Sequence, residues 1–394
     1  MTSGRIVALR GAERRGLMDR IAAVRSRGDV PLVGDDRWPD DHWREVVHAA
    51  DTARPQHGTA WATLTSGTTG RPRIVLRSAE SWSASFAAVD RLLGVRPGDV
   101  VALPAPPASS LSLFSIAHAL SGGPRVALAR GHAVVASDFA EATLFHGTPS
   151  ALRQLLDAGV TPAPRAALVG GSSLDAALRT RAEDAGVRVV SYYGAAELSF
   201  VAVDTGDGLR PFPGVELEVR EGELWVRSPY ICRGYLPGGA AAGVPDPADA
   251  PAAPSGPLRS EGDWHTVGDR ARMRDGRILL EGRRDDAILT ASATVIPGDV
   301  EEALRLLPGV ADAVVLGLPA DGIGSLVAAV IEPAPHAPAP TARALSAAAA
   351  ELLTPTHRPR RWYSAKLPRT VTGKTARAEL LRRIRSGEVT PLEH

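Results

Sequence analysis

The chain has 394 residues, with 45 Lys+Arg against 44 Asp+Glu, a formal charge of +1. No basic tract breaks that balance, which argues against a nucleic-acid partner. No apolar run is long enough to span a bilayer, and the opening MTSGRIVALRGAERRGLMDRI lacks the apolar core of a signal peptide. The single cysteine, Cys232, can form no internal disulfide and has no second thiol for a zinc site, so the expected setting is the reducing cytoplasm.

In chain order, residues 12–27 place Leu17, Ile21 and Val24 on one helical face. WATLTSGTTGRPRIVLR reads as strand, glycine-rich loop, strand. A helix follows, capped by Ser78, with Trp82, Phe86, Val89 and Leu93 inward. From 124 to 191 the short apolar runs PRVALA, ATLF, AALV and VRVVS alternate with the helical segments TPSALRQLLDAG and SLDAALRTRAEDAG. That alternation predicts a parallel sheet of βαβ units. After 211 the texture changes to short strands and turns, then to a Pro-, Ala- and Gly-rich stretch over 237–260 that reads as a mobile surface loop. A compact C-terminal unit follows: a helix over 297–307, strands near 310–317 and 325–332, and helices near 342–353 and 374–386. The boundary is placed at GRRDD, giving domains 1–282 and 283–394.

Four segments carry residue types suited to nucleotide chemistry. In Thr65-Ser66-Gly67-Thr68-Thr69-Gly70-Arg71-Pro72-Arg73, small residues let backbone N–H groups approach phosphate oxygens. The absence of GK[ST] separates it from the common P-loop, and a plain turn is the alternative. Tyr192-Tyr193-Gly194-Ala195-Ala196-Glu197 ends a predicted parallel strand, where open α/β sheets bind ligands. There an aromatic can stack on a base and a carboxylate can hold Mg²⁺ against phosphates; core tyrosines at an ordinary strand end are the alternative. Asp269 follows a glycine turn in WHTVGD, and Arg283 opens GRRDD; such residues can bind ribose hydroxyls, or simply form surface turns. Lys374 in PRTVTGK is one of only two lysines, the other being Lys366, and a mobile ammonium suits a charge moving between carboxylate and phosphate.

Taken in order, these segments resemble the acyl-adenylate-forming superfamily of acyl-CoA synthetases, stand-alone adenylation domains and luciferases, over about residues 58–386. TSGTTGRPR is similar to its phosphate loop, YYGAAE to its Y-G-x-T-E segment, WHTVGD to its [W/Y]-x-x-T-G-D, GRRDDAI to its hinge, and PRTVTGK to the segment with its catalytic lysine. The resemblance implies a large α/β N-terminal domain with parallel sheets flanked by helices, its first subdomain shortened, and a small α+β C-terminal lid. It also implies that Thr65, Ser66, Gly67, Thr68, Thr69 and Gly70 cradle the β- and γ-phosphates of ATP. Gly170, Gly171, Ser172 and Tyr193 would frame the adenine, with Gly194 beside them. Glu197 would bind Mg²⁺, Asp269 and Arg283 the ribose. Asp285 would be the hinge, and Lys374 would bridge the carboxylate and the α-phosphate. The acid pocket would be lined near Ser109, Ser110, Leu111, Phe114, Val169, Gly170 and Gly194. These are small or apolar side chains that favour a monocarboxylic acid.

Several positions depart from the family pattern. Arg73 stands where a lysine is common, Ala196 and Val267 replace threonines, Pro107 takes the place of a His or aromatic, and Ser292 that of a glycine beside the pantetheine path. The reading that follows is ATP-dependent activation of a carboxylic acid to acyl-AMP, then thioester formation with coenzyme A. The alternatives are loading of a phosphopantetheinyl acyl carrier protein and a non-catalytic homologue.

Overall fold

Short apolar runs bounded by turns build two sheets that share one core. The computed structural model describes residues 4–10, 16–36, 38, 40–64, 73–131, 133–236, 258–283, 288–289, 294–295, 297–320, 324–335, 338, 340–370 and 375–393, and counts refer to those residues. The first sheet runs β1 (Ile6–Arg10), β2 (Val30–Gly34), β3 (Trp61–Leu64), β4 (Ile74–Arg77) and the short strand Gly234–Tyr235. β1, β2 and β3 are parallel, and β4 turns back antiparallel on β3. Helix α1 (Leu17–Ser26) buries Leu17, Ile21 and Val24 as its period predicts. Helix α2 (Asp40–Thr52) buries Val46 and Ala50 against Ile6, Leu32 and Ala62.

The second sheet places β5 (Val100–Leu103), β6 (Arg125–Leu128), β7 (Leu144–Gly147), β8 (Ala166–Val169), β9 (Arg188–Ala195) and β10 (Ser199–Asp204) in the order 10-9-8-7-5-6, with Arg210–Pro211 beyond β10. β5 to β9 are parallel, as the alternating pattern predicts, and β10 closes an antiparallel hairpin on β9. Side-chain alternation along each strand separates two cores. Val101, Leu144, Leu168 and Val190 face α3 (Glu80–Leu93) and α4 (Ser110–Leu120). Ala102, Phe145, Ala167, Val169 and Val189 face α5 (Pro149–Asp157) and α6 (Ala176–Asp184). Each helix start is fixed by a hydroxyl or carboxylate: Ser78 Oγ accepts from Ser81 N–H at 3.1 Å, Ser109 caps α4, Thr148 caps α5 and Asp175 caps α6.

An antiparallel sheet follows, ordered Arg259–Glu261, Trp264–Thr266, Glu223–Arg227, Asp269–Arg274 and Arg277–Arg283, with Glu216–Arg220 paired to Glu223–Arg227. The C-terminal region pairs Val310–Ala320 antiparallel with Gly324–Pro333, which runs parallel to Arg361–Ser364. Helices Pro297–Arg305 and Ala342–Leu352 cover one face through Val300, Leu304 and Leu345, and Arg377–Arg385 covers the other through Leu380. The fold is mixed α/β with a large N-terminal part and a small C-terminal one, as the sequence implied. Among the described residues no helix is long and apolar enough to cross a membrane.

Candidate active site

Parallel strands β7, β8 and β9 end together, and the candidates Gly170, Gly171, Ser172, Tyr193 and Gly194 lie at the carboxyl ends of β8 and β9. Period-two alternation sends consecutive tyrosines of β9 to opposite sides. Tyr193 donates its hydroxyl proton to Asp269 Oδ2 in a short hydrogen bond. Asp269 opens its strand directly across from Arg283 in the antiparallel register. Two residues expected around the nucleoside, Tyr193 and Asp269, therefore meet from sequence positions far apart, with the Arg283 backbone across the strand pair.

The turn before Asp269 is built by a residue outside the expected set. Thr266, fully buried, donates to Glu223 Oε1 at 2.7 Å and accepts from Gly268 N–H at 3.1 Å. Gly268 has φ of 82°, a left-handed conformation that disfavours side chains. Val267 points into the core beside Ala271 and Ile278.

Glu197 follows β9 in the turn to β10 and is only 4% exposed. Its Oε1 accepts from the Tyr235 hydroxyl at 2.9 Å, and Tyr235 Oη accepts from Leu258 N–H at 3.3 Å. Burial, then the Glu197 charge and hydrogen bond, push the Tyr235 phenol far above its ordinary range, so it stays a donor. Beneath this turn lies Arg77, the last residue of β4 and wholly buried. Its guanidinium donates to the carbonyls of Ala196 at 2.6 Å and Glu197 at 3.3 Å, and also to that of Tyr230. It stacks over the Trp82 ring at 5.3 Å. Burial lowers its pKa to about 10, while Cys232 and Glu197 oppose the shift. The same environment, burial first, raises the Cys232 thiol to about 11, leaving it protonated.

The two glycines of the strand ends have explicit causes. A Cβ on Gly170 would lie 2.2 Å from Tyr192 Cζ, and one on Gly194 would lie 2.1 Å from the Ser199 carbonyl oxygen across the β9–β10 hairpin. Gly171 has φ of 89°, and Ser172 beyond it is exposed. Of the side chains expected around an acid, Phe114 and Gly170 sit on the α4 side of the sheet, with Ser110 and Leu111 partly exposed at the start of α4. Ser109 is consumed as the α4 cap. Val169 departs from the expectation: alternation turns it to the α5–α6 core, away from Phe114. Thr65, Ser66, Gly67, Thr68, Thr69, Gly70, Asp285, Ser292, Lys374 and the stretch 237–257 lie outside the described residues.

Sequence reasoning missed Arg77, Tyr235, Thr266 and the buried pair Ser115 and His146. Arg77 had a signal, a charge closing the four-residue apolar strand IVLR; the others look like ordinary polar residues until the fold converges them.

A sequence model of the AMP-binding enzyme family matches residues 12–236, and one of the AMP-binding enzyme C-terminal domain matches 299–374. A probable 2-succinylbenzoate–CoA ligase of Mycobacterium tuberculosis is 32% identical over 340 residues, covering 82% of this chain and 84% of its own length. A 3-hydroxybenzoate–CoA ligase of Aromatoleum is 28% identical over 386 residues, covering 86% and 69%. The o-succinylbenzoate CoA synthetase of Bacillus subtilis, solved with the acyl-adenylate intermediate OSB-AMP, superposes with a TM-score of 0.76 at 19% identity, over 96% of this chain and 88% of that one. Fold, converging nucleotide-type residues and sequence agree: the chain belongs to the AMP-binding enzyme family.

Proposed function

We propose that this protein is an AMP-forming acid–thiol ligase, which joins a small carboxylic acid to ATP and then passes the acyl group to the thiol of coenzyme A. The observation that carries the reading is the hydrogen bond between Tyr193, at the end of β9, and Asp269, with Glu197 held one turn away. In the first step a carboxylate oxygen of the acid attacks the α-phosphorus. A P–O bond forms, the bond to the β-phosphate oxygen breaks, and pyrophosphate leaves. In the second, the thiolate attacks the acyl carbon and AMP leaves with the electron pair.

The chain's own groups divide this work. Tyr193, Gly170, Gly171, Ser172 and Gly194 frame the adenine; Asp269 exchanges its Tyr193 hydrogen bond for ribose hydroxyls, with Arg283 across the strand pair. Thr65, Ser66, Gly67, Thr68, Thr69 and Gly70 take the β- and γ-phosphates. Lys374 neutralises charge between carboxylate and α-phosphate. Glu197 suits Mg²⁺: its second carboxylate oxygen takes no hydrogen bond among the described residues, and these contain no cluster of three metal-ligating side chains. One carboxylate plus substrate phosphates is a common Mg²⁺ arrangement, and the ion would spread the phosphate charge when bound. Residues 283–394 form a lid turning about Asp285, which keeps water from the mixed anhydride and then admits the thiol. The reaction belongs in the cytoplasm, where ATP and coenzyme A are at hand.

The test is ATP–pyrophosphate exchange across a library of monocarboxylic acids, followed by thioester formation with coenzyme A. Exchange dependent on one acid class, and a thioester of that acid, are expected. No exchange with any acid, in protein that binds ATP, refutes the ligase. Exchange with transfer only to a phosphopantetheinyl carrier refutes the acceptor.

A further inference from the structure

The strand Glu223–Arg227 is paired along one edge over all five of its residues by Glu216–Arg220. Its other edge carries the chain on both sides of Gly268: Val226 lies opposite His265, and Glu223 opposite Arg270. Between those pairs this strand advances three residues and its partner five. Two extra residues are therefore looped out, a β-bulge immediately before Asp269, and bulges re-aim side chains. Thr266 and Val267 are consecutive yet both buried, which regular alternation forbids. On the far edge a second shift in register falls between Arg270 and Ala271. Asp269 thus sits, partly open, where the ladder is disturbed on both edges.

Residues that have left the ladder need other bonds to hold their shape, and Thr266 supplies them. Its hydroxyl donates to Glu223 Oε1 and accepts from Gly268 N–H, so one side chain ties the looped-out residues to the strand they bulge from. Glu223 is anchored in turn. Arg259, directly opposite Thr266 on the outer strand, donates to the same Oε1. Burial disfavours the Glu223 charge, but the Thr266 and Arg259 hydrogen bonds and the Arg259 and Arg270 charges outweigh it and hold the carboxyl below its usual range. Glu223 therefore stays ionised and can only accept. Beyond the bulge the ladder resumes, with Ala271 N–H donating to the Gly222 carbonyl at 3.1 Å.

We infer that Glu223 and Thr266 are positioning residues that fix the bulge, aim Asp269 at the sugar of the nucleotide and so set the preference for ribose over deoxyribose. This rests on the nucleotide assignment of the ligase reading, which gives Asp269 the ribose, and adds the groups that make that contact selective. Without the Thr266 hydroxyl the looped-out residues relax, and Asp269 keeps its Tyr193 hydrogen bond instead of exchanging it for ribose hydroxyls. The carboxylate is misdirected, not lost, so the penalty falls on the sugar contacts and not on the base or the phosphates.

Calorimetric titration of the full chain with ATP, 2′-deoxyATP and 3′-deoxyATP, each with Mg²⁺, gives dissociation constants without requiring turnover. Wild type should bind ATP on the order of tenfold more tightly than at least one of the deoxynucleotides, the effect of one hydrogen bond to a charged acceptor. In Thr266→Val, which keeps the volume and removes the hydroxyl, that ratio should fall to within about threefold of unity. Thr266→Ser keeps the hydroxyl and should hold the wild-type ratio. Glu223→Gln keeps an acceptor oxygen but not the charge, and should fall between. In an Asp269→Asn background Thr266→Val should move the ratio no further. A merely structural role would weaken all three nucleotides alike. Melting curves identify a misfolded Thr266→Val protein, in which case Glu223→Gln decides. An unshifted ratio in folded variants overturns the inference, as does a wild type indifferent to both hydroxyls or a further fall in the Asp269→Asn background. The expected ratios with no pyrophosphate exchange on any acid overturn the ligase reading alone; no nucleotide binding at all overturns both.

Discussion

Replacing Arg77 by methionine tests whether the Glu197 turn is held from below. The guanidinium makes three hydrogen bonds, all to carbonyls, and all within or beside that turn. Charge-assisted bonds of this kind contribute about 1.5–3 kcal/mol each, and the abandoned carbonyls lose their partners in the interior. Removing a buried charge returns several kcal/mol of desolvation. The balance is a net loss of roughly 2–4 kcal/mol, or about 5–15 °C in melting temperature for a unit of this size. The functional consequence is more selective. With the Ala196 and Glu197 carbonyls released, the carboxylate loses its fixed aim, and the Mg²⁺ concentration for half-maximal exchange should rise on the order of tenfold, about 1.4 kcal/mol. Arg77→Lys keeps the charge but cannot reach three carbonyls with one ammonium, so it should fall between. Thermal melting and a Mg²⁺ titration of pyrophosphate exchange, on the same preparations, are the assays. A lower melting temperature with an unchanged Mg²⁺ curve would reduce Arg77 to a structural brace; no change in either would refute the reasoning.

Lys374→Ala is expected to abolish pyrophosphate exchange while chemically supplied acyl-AMP is still converted to thioester; exchange near the wild-type rate would sink the assignment. His146 gives a pH prediction, because burial lowers its folded pKa to about 3, below the roughly 6.5 of an ordinary imidazole. Between those values the unfolded chain takes up a proton that the folded one refuses, so stability falls as pH drops, by up to about 1.4 kcal/mol per pH unit. Denaturant unfolding at several pH values should show a slope shallower by up to one proton in His146→Gln; an equal slope contradicts the burial argument. Gly170→Ala should lower the melting temperature by driving a Cβ into the Tyr192 ring, and adding Tyr192→Ala should recover part of the loss. Simple additivity of the two would mean that the ring does not constrain Gly170.

The parallel sheet was legible because buried βαβ strands carry unbroken apolar runs between amphipathic helices, and VRVVS and AALV are such runs. The helix of Leu17, Ile21 and Val24 was equally plain. β1, β2 and α2 were not anticipated. β1 and β2 are isolated short runs, but DDHWREVVHAADT does carry a helical period, with Trp43, Val46, Val47 and Ala50 at i, i+3, i+4 and i+7. Within the candidate site, Tyr193, Asp269 and Glu197 stand out in the sequence as candidates through their motifs, whereas the residues that contact them do not. Tyr235 meets Glu197 across 38 positions and Arg77 meets it across 120, and no local pattern encodes such pairings.

The two threonines that the family pattern would have supplied, at Ala196 and Val267, show how that blindness matters. Taken alone, each change removes a hydroxyl from a nucleotide site and argues for decay. In the fold, each stands beside a support the motif does not mention. Ala196 contributes its carbonyl to Arg77, so the turn bearing Glu197 is fixed through the backbone. Val267 fills the core, and the hydroxyl that shapes the glycine turn belongs instead to Thr266, which ties that turn to Glu223 and leaves Asp269 opposite Arg283. Thr266 is satisfied twice, the Ala196 carbonyl is bonded, and Glu197 keeps both a donor and an open oxygen, while the Nε of the supporting Arg77 is buried without a hydrogen-bond partner among the described residues. A site maintained in this way, with its charged groups aimed and its turns held, favours a working ligase over a non-catalytic relative.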